Sequence, residues 1–255
     1  MASATGFEGQ VALVTGGAGG IGGAVTRALL AEDATVVCAD RETPAAPGDA
    51  DPRRFQGVAF DVSRRDDVQR VVREALAAHD RIDLLVNVAG VVSFGSAESI
   101  TEAEWDRVID INLKGTFLCC QAVIEPMRRQ KYGRIVNIGS VVGKNAGNAR
   151  PWISAEEQQR AANAAYGASK AGVHAITGFL AKEMAAHGVT VNAVAPGPIA
   201  TAMTKTFPEA LRNLIPVGRM GVLDDVVRAI LFLASKDSGF INGEILDVNG
   251  GMWCD

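Results

Sequence analysis

Near its N-terminus this chain runs from a strand through a glycine-rich turn straight into a helix, and few arrangements restrict a fold more. Val11-Ala-Leu-Val-Thr15 is a short apolar strand, Gly16-Gly17-Ala18-Gly19-Gly20-Ile21-Gly22-Gly23 is the turn, and Ala24 to Ala31 reads as helix. Glycines permit a tight turn and let backbone approach a pyrophosphate closely. The unpaired N–H groups and the dipole of the following helix favour a phosphate there. A lone glycine-rich turn is ordinarily just a flexible loop, so its context between strand and helix carries the argument.

A second strand, 34–39, leads to Asp40, 18 residues after Gly22. A carboxylate in this place accepts hydrogen bonds from an adenosine ribose and repels a 2′-phosphate, which points to NAD. Arg41 is the feature that would favour NADP. Further strands are expected at 55–60, 82–87, 134–140, 189–195 and 244–248, and helices at 20–31, 65–79, 102–130, 164–187 and 223–235. Such alternation implies an α/β fold, a Rossmann-type doubly wound, seven-stranded parallel sheet with helices on both faces. The Pro/Ala/Gly/Asp stretch Thr43 to Pro52 is expected to replace a surface helix with a loop. Thr101-Glu-Ala-Glu104 is a capping box, and Pro126 should kink or end the last turn of its helix. With 255 residues, 48% hydrophobic and 21% charged, the chain suits one α/β core without a linker-like break, so residues 1–255 are expected to form a single domain.

Tyr166 and Lys170 stand four residues apart in Tyr-Gly-Ala-Ser-Lys, on one face of an expected helix. An ammonium beside a phenol stabilises the phenolate. Lowering the phenol's pKa of ~10 by ~2 units takes roughly 2.7 kcal/mol, and the tyrosine then serves as a general acid/base near neutrality. Gly16, Asp40, Asp61, Asn87, Ser140 and Pro196 all fall at or just past expected strand ends, where ligands of such sheets bind. Asp61 fits a helix cap equally well.

Together these motifs identify the chain as resembling the short-chain dehydrogenase/reductase family of the single-domain type, from about residue 7 to residue 251. The family's Thr-Gly-x-x-x-Gly-x-Gly appears as Thr15-Gly16 through Gly20-Ile21-Gly22, and its Asn-Asn-Ala-Gly as Asn87-Val88-Ala89-Gly90, with Val88 a departure. The resemblance implies hydride transfer between a secondary alcohol and a nicotinamide cofactor. It casts Tyr166 as general acid/base, Lys170 as the cation that tunes it and holds the nicotinamide ribose, Ser140 as the substrate-oxygen hydrogen bonder and Asn112 as the holder of a relay water. The implied cofactor contacts are Gly16, Gly19, Gly20, Ile21, Gly22, Asp40, Arg41, Asp61, Val62, Asn87, Ala89, Gly90, Tyr166, Lys170, Pro196, Gly197, Ile199 and Thr201. NAD is expected first; the alternatives are an NADP-linked 3-oxoacyl or polyketide-type ketoreductase, and a nucleotide-sensing protein without catalysis.

The separation of Ser140 from Tyr166 is roughly twice the family's, which marks an insertion near 145–163. Ser154-Ala-Glu-Glu157 is a second capping box, so a loop and a helical turn are expected to lead into the catalytic helix. Arg150 and Trp152 are candidate substrate contacts with Ser140, although a surface excursion or a subunit contact explains the insertion equally. Thr201 to Pro216 reads as a lid whose Met203, Phe207, Leu211, Leu214 and Ile215 offer an apolar wall. A small alcohol or ketone is the expected partner, and the resemblance implies a homotetramer or homodimer through the helices at 102–130 and 164–187. The formal charge of −4 with scattered basic residues argues against nucleic acid. No apolar run approaches the ~20 residues that span a bilayer. His79, His174 and His187 are dispersed, so no metal is expected and helix-surface or interface positions are assigned to them. Cys38, Cys119, Cys120 and Cys254 lack disulfide or zinc spacing and read as reduced thiols of a cytoplasmic protein.

Overall fold

The computed structural model describes residues 6–48, 50–147, 154–201 and 209–254. In chain order its elements are β1 (Val11–Thr15), α1 (Gly20–Ala31), β2 (Thr35–Asp40), β3 (Phe55–Ala59), α2 (Arg65–His79), β4 (Leu84–Asn87), α3 (Glu102–Ile109), α4 (Gly115–Gln130) and β5 (Gly133–Ile138). Then follow α5 (Val142–Asn145), α6 (Ala155–Gln159), α7 (Ala164–Met184), β6 (Val189–Pro196), α8 (Glu209–Arg212), α9 (Leu223–Ala234) and β7 (Ile245–Val248). All seven strands pair in parallel in the order β3-β2-β1-β4-β5-β6-β7. The expected fold class is therefore observed. Beside β1 the order reverses, β2 on one side and β4 on the other, which opens the crevice where such sheets take ligands.

Both faces of the sheet are covered, so its strands read as near-continuous apolar runs. Alternate side chains go to opposite faces. Leu13, Val37, Leu85, Ile135 and Val191 join Val68, Val71, Leu118, Val123, Leu180 and Met184 beneath α2, α4 and α7. Val14, Val36, Leu84, Val86, Val136 and Val194 meet Val25, Leu29, Val226, Ile230 and Leu233 of α1 and α9. The described part of 41–54 crosses from β2 to β3 without a helix, as its composition indicated.

The helix expected at 102–130 is divided. Thr101 caps α3 by accepting the Glu104 N–H, but a π-helical turn, Asp110–Lys114, separates α3 from α4. Pro126 does not end α4, which continues to Gln130. Cys119, Cys120, Val123, Pro126 and Met127 are buried there, and that packing holds the final turn despite the missing N–H. The helix expected at 164–187 is α-helical to Met184 and closes with a 3-10 turn, Ala185–His187.

The N-terminal edges of the central strands are locked by Asp83. Its buried carboxylate accepts the Val11 N–H at 2.9 Å and is forked by Arg81 at 2.6 and 2.8 Å, while its carbonyl accepts the Arg134 N–H at 2.9 Å. Arg81 is half exposed, so Asp83→Ala mainly orphans the Val11 amide. We expect a loss of about 1–3 kcal/mol in urea unfolding, with dinucleotide affinity unchanged because the lock lies at the end of the sheet opposite the glycine turn.

Candidate active site

Close backbone approach dictates the glycine turn. Gly16 has φ +65°, and a Cβ there would lie 2.7 Å from the backbone of Ala89. A Cβ on Gly22 would lie 2.1 Å from the Gly16 carbonyl oxygen. The N–H groups of Gly16 and Gly17 donate to Ala39 O at 2.8 and 3.3 Å, pinning the turn to the end of β2. Gly19 provides no side-chain cap for α1, so the first-turn amides around Gly20, Ile21 and Gly22 face a cradle without side chains. These features fit a dinucleotide pyrophosphate. Asp40 ends β2 facing the same turn; its Oδ2 accepts the Ala18 N–H at 3.0 Å and its Oδ1 the Arg41 N–H at 2.7 Å.

The remaining candidate cofactor residues surround this crevice. Asp61 accepts from the Ser63 N–H and hydroxyl at 2.9 and 2.7 Å, so it closes the turn before α2 rather than capping that helix, which Arg64 precedes. Val62 is buried against Gly115, the first residue of α4. Asn87 Nδ2 donates to Asn137 Oδ1 at 2.9 Å. The Thr15 hydroxyl accepts both the Val88 and Ala89 N–H groups, so the segment stays tied to β1 although valine replaces the family's asparagine. Beyond β6, Gly197 donates to Val248 O at 3.0 Å, and a Cβ on it would sit 2.9 Å from Asn249 Cα. Ile199 is buried and bridges to Gly221. Pro196 ends β6, and Thr201 is the last described residue before 209.

Asn112, Ser140, Tyr166 and Lys170 converge at the carboxyl ends of β4 and β5. Lys170 Nζ donates to Ile138 O at 2.7 Å and lies 5.9 Å from the Tyr166 ring centroid. Asn112 sits in the π-turn, fully buried, and its carboxamide clasps Val91, accepting from N at 2.8 Å and donating to O at 2.9 Å. Asn112 Nδ2 also donates to Ser169 Oγ at 3.0 Å, and that hydroxyl donates to Tyr166 O at 2.7 Å. The π-turn, a device frequent at functional sites, thus joins α7 to the loop after β4. Gly90 lies where these groups meet: a Cβ on it would be 3.2 Å from Asn112 Oδ1 and 3.6 Å from Lys170 Nζ. Ser140 Oγ accepts the Val142 N–H at 3.2 Å.

The electrostatics differ from those expected of an i, i+4 pair. Burial pushes the Tyr166 phenol above its ordinary value, opposed by its hydrogen bond with the Ser140 hydroxyl. Burial also pulls Lys170 from 10.5 down to about 8. Desolvation outweighs mutual help because the ammonium is bonded to a backbone carbonyl and stands almost 6 Å from the ring.

Two contributors escaped the sequence reading. His174 is not simply a surface or interface histidine: its Nε2 accepts the Ser140 N–H at 3.3 Å. Its position four residues after Lys170 was the available signal. Asn163 caps α7 by accepting the Tyr166 N–H at 3.1 Å and donates to Ser93 Oγ at 2.6 Å and Phe94 O at 3.2 Å. An asparagine three residues before Tyr166, at the start of an expected helix, carries the mark of a cap. Ser154 caps α6 as its spacing indicated, and Ala162 pairs antiparallel with Phe94, so the end of the insertion lies along the loop after β4. Arg150, Trp152, Met203 and Phe207 lie outside the described residues. In the described part of the expected lid, Leu214 is exposed, whereas Ile215 is buried beside Gly250 and is core rather than pocket wall.

The family model described as short chain dehydrogenase matches residues 10–212. The 3-oxoacyl-[acyl-carrier-protein] reductase FabG of Thermotoga maritima is 39% identical, over 96% of this chain and 98% of its own. The (2S)-[(R)-hydroxy(phenyl)methyl]succinyl-CoA dehydrogenase subunit BbsD of Thauera aromatica is 38% identical (96% and 97%), as is the acetoacetyl-CoA reductase of Allochromatium vinosum (96% and 98%). The crystal structure of gox2181 matches with a TM-score of 0.86 at 38% identity, over 97% of each chain.

A buried lysine held below its ordinary pKa weakens the fold at neutral pH. The folded protein releases this proton near pH 8 and the unfolded chain near 10.5, so the penalty is complete below 8 and fades as pH rises between the two. Lys170→Met should therefore be about 1–2 kcal/mol more stable than the parent at pH 7, after allowing for the lost bond to Ile138. Urea unfolding at pH 7 and pH 9.5 should show that advantage shrinking at the higher pH.

Proposed function

The chain belongs to the short-chain dehydrogenase family, and from that premise we propose that it reduces 3-oxoacyl thioesters to 3-hydroxyacyl thioesters with NADH. Sequence alone placed an NAD-dependent reaction of a general secondary alcohol first and an NADP-linked 3-oxoacyl or polyketide-type ketoreductase second. The observation that reverses that order for the substrate is full-length similarity to relatives named for acyl-carrier-protein and CoA thioesters. For the cofactor, Asp40 supports NADH: its carboxylate faces the glycine turn, where it would accept from ribose hydroxyls and repel a 2′-phosphate. The turn from Gly16 to Gly23 also carries no basic residue to receive such a phosphate. Arg41 is the feature on the NADPH side.

The bound nicotinamide supplies the hydride. The Ser140 hydroxyl, whose oxygen already accepts the Val142 N–H, would direct its proton to the substrate carbonyl oxygen. The Tyr166 phenol, held protonated by burial, would give its proton to that oxygen as the carbonyl carbon is reduced. Lys170 would stabilise the phenolate left behind and bind the nicotinamide ribose, and Asn112 would place the water that returns a proton through Lys170. Asp61 and Val62 would border the adenine, and Pro196, Gly197, Ile199 and Thr201 the nicotinamide carboxamide. The paired segments 93–95 and 161–163 would form one wall of the acyl site. Phe179 of α7 is 77% exposed and Phe117 of α4 37%, which supports association of copies through these helices.

NADH oxidation should be measured with acetoacetyl-CoA, longer 3-oxoacyl thioesters and simple ketones. Thioester turnover well above that of the ketones is expected; equal rates, or ketones alone, would remove the thioester reading. Tyr166→Phe should lower kcat by about 10²–10⁴-fold with little change in NADH affinity. Asp40→Ser should weaken NADH and improve NADPH, and a parent enzyme that already prefers NADPH would refute the role of Asp40.

A further inference from the structure

Ser140 is placed by its backbone. Past the end of β5, the Gly139 and Val141 N–H groups donate to Val194 O and Pro196 O at 2.8 and 3.0 Å, continuing the alternation toward β6. The Ser140 N–H between them points away from β6, toward the side on which β4 has already ended at Asn87. Ser140 is buried, and a buried amide without an acceptor is costly. His174 provides the acceptor through Nε2, at 3.3 Å. Two positions without side chains make room for its ring: a Cβ on Gly139 would stand 2.1 Å from Nε2, and one on Gly143 3.0 Å from Cε1. The Ser140 carbonyl accepts the Gly143 N–H at 3.0 Å and its hydroxyl oxygen the Val142 N–H at 3.2 Å. Amide, carbonyl and hydroxyl oxygen are thus all held, which restricts where the hydroxyl proton can point.

We infer that His174 is a positioning residue for Ser140, acting as the neutral imidazole with its proton on Nδ1. Tyr166, Lys170 and His174 then form one row on α7, with the third member serving Ser140 from beneath. The inference rests on the proposed role of Ser140 toward the substrate oxygen. An unanchored Ser140 segment would shift the hydroxyl relative to the carbonyl it must meet, and small misplacements of this kind cost rate.

The test compares His174→Leu, which keeps bulk without an acceptor, with His174→Gln, whose carboxamide oxygen reaches about as far as Nε2. His174→Leu should lower kcat roughly 10–100-fold, with KM for NADH close to the parent's and a lower urea midpoint, because the Ser140 amide loses its acceptor. His174→Gln should recover most of kcat. In a Ser140→Ala background, His174→Leu should have little further effect, because the group it positions is gone. Nitrogen NMR of the full-length parent should show Nε2 without a proton, and the Ser140 amide signal should move in His174→Leu and return in His174→Gln. Parent-like kcat in His174→Leu, equal impairment of both variants, or a protonated Nε2 would each overturn the assignment. If thioesters are not turned over, the substrate proposal fails, and the NMR arm together with kcat on whichever ketone reacts still decides the role of His174.

Discussion

The bond between the Lys170 ammonium and the Ile138 carbonyl is the constraint around which the site is organised. Among the described residues Lys170 has no carboxylate partner, and it is only 5% exposed. A buried cation without a counter-ion needs strong acceptors, and the carbonyl of the last β5 residue provides one. This contact ties α7, which also carries Tyr166 and His174, to the end of β5. A lysine held near neutrality in this way has adjustable protonation, as the proposed proton transfer would require.

The second constraint is the meeting of three chain segments at Asn112. A regular α-helix from 102 to 130 would aim each carboxamide along the helix surface. The π-turn instead brings Asn112 into contact with Val91 on one side and Ser169 on the other. The loop after β4, the α3–α4 junction and α7 are thus connected through one buried side chain. The crevice is shaped by polar side chains with fixed partners, since buried amides tolerate few alternative geometries.

Legibility in the sequence followed the range of the interactions. The glycine turn, the apolar strands and the caps at Thr101 and Ser154 are marked by neighbours within a few residues, and apolar periodicity and turn chemistry expose them. The π-turn at Asp110–Lys114 depends on contacts made 21 and 57 residues away, and no local pattern announces it. The continuation of α4 past Pro126 likewise depends on burial against the sheet. Spacing alone brought Tyr166 and Lys170 together correctly but misjudged their electrostatics, because the i, i+4 relation says nothing of solvent. His174 was set aside because histidines were weighed as metal ligands, whereas its importance comes from an amide 34 residues earlier that the sheet leaves unpaired.

Asn163 ties the start of α7 to the loop after β4. Its carbonyl oxygen caps α7 at Tyr166, while its amide nitrogen fastens Ser93 and Phe94. The cap fixes the first turn of α7, which carries Tyr166, and the fastening fixes the loop after β4. Gly95 donates to Ala161 O at 3.1 Å and Asn163 to Ser93 O at 3.0 Å, the two bonds of one antiparallel bridge between Phe94 and Ala162. A change that shifts this bridge would also strain the cap on α7. The loop after β4 and the start of α7 are therefore joined through one buried asparagine.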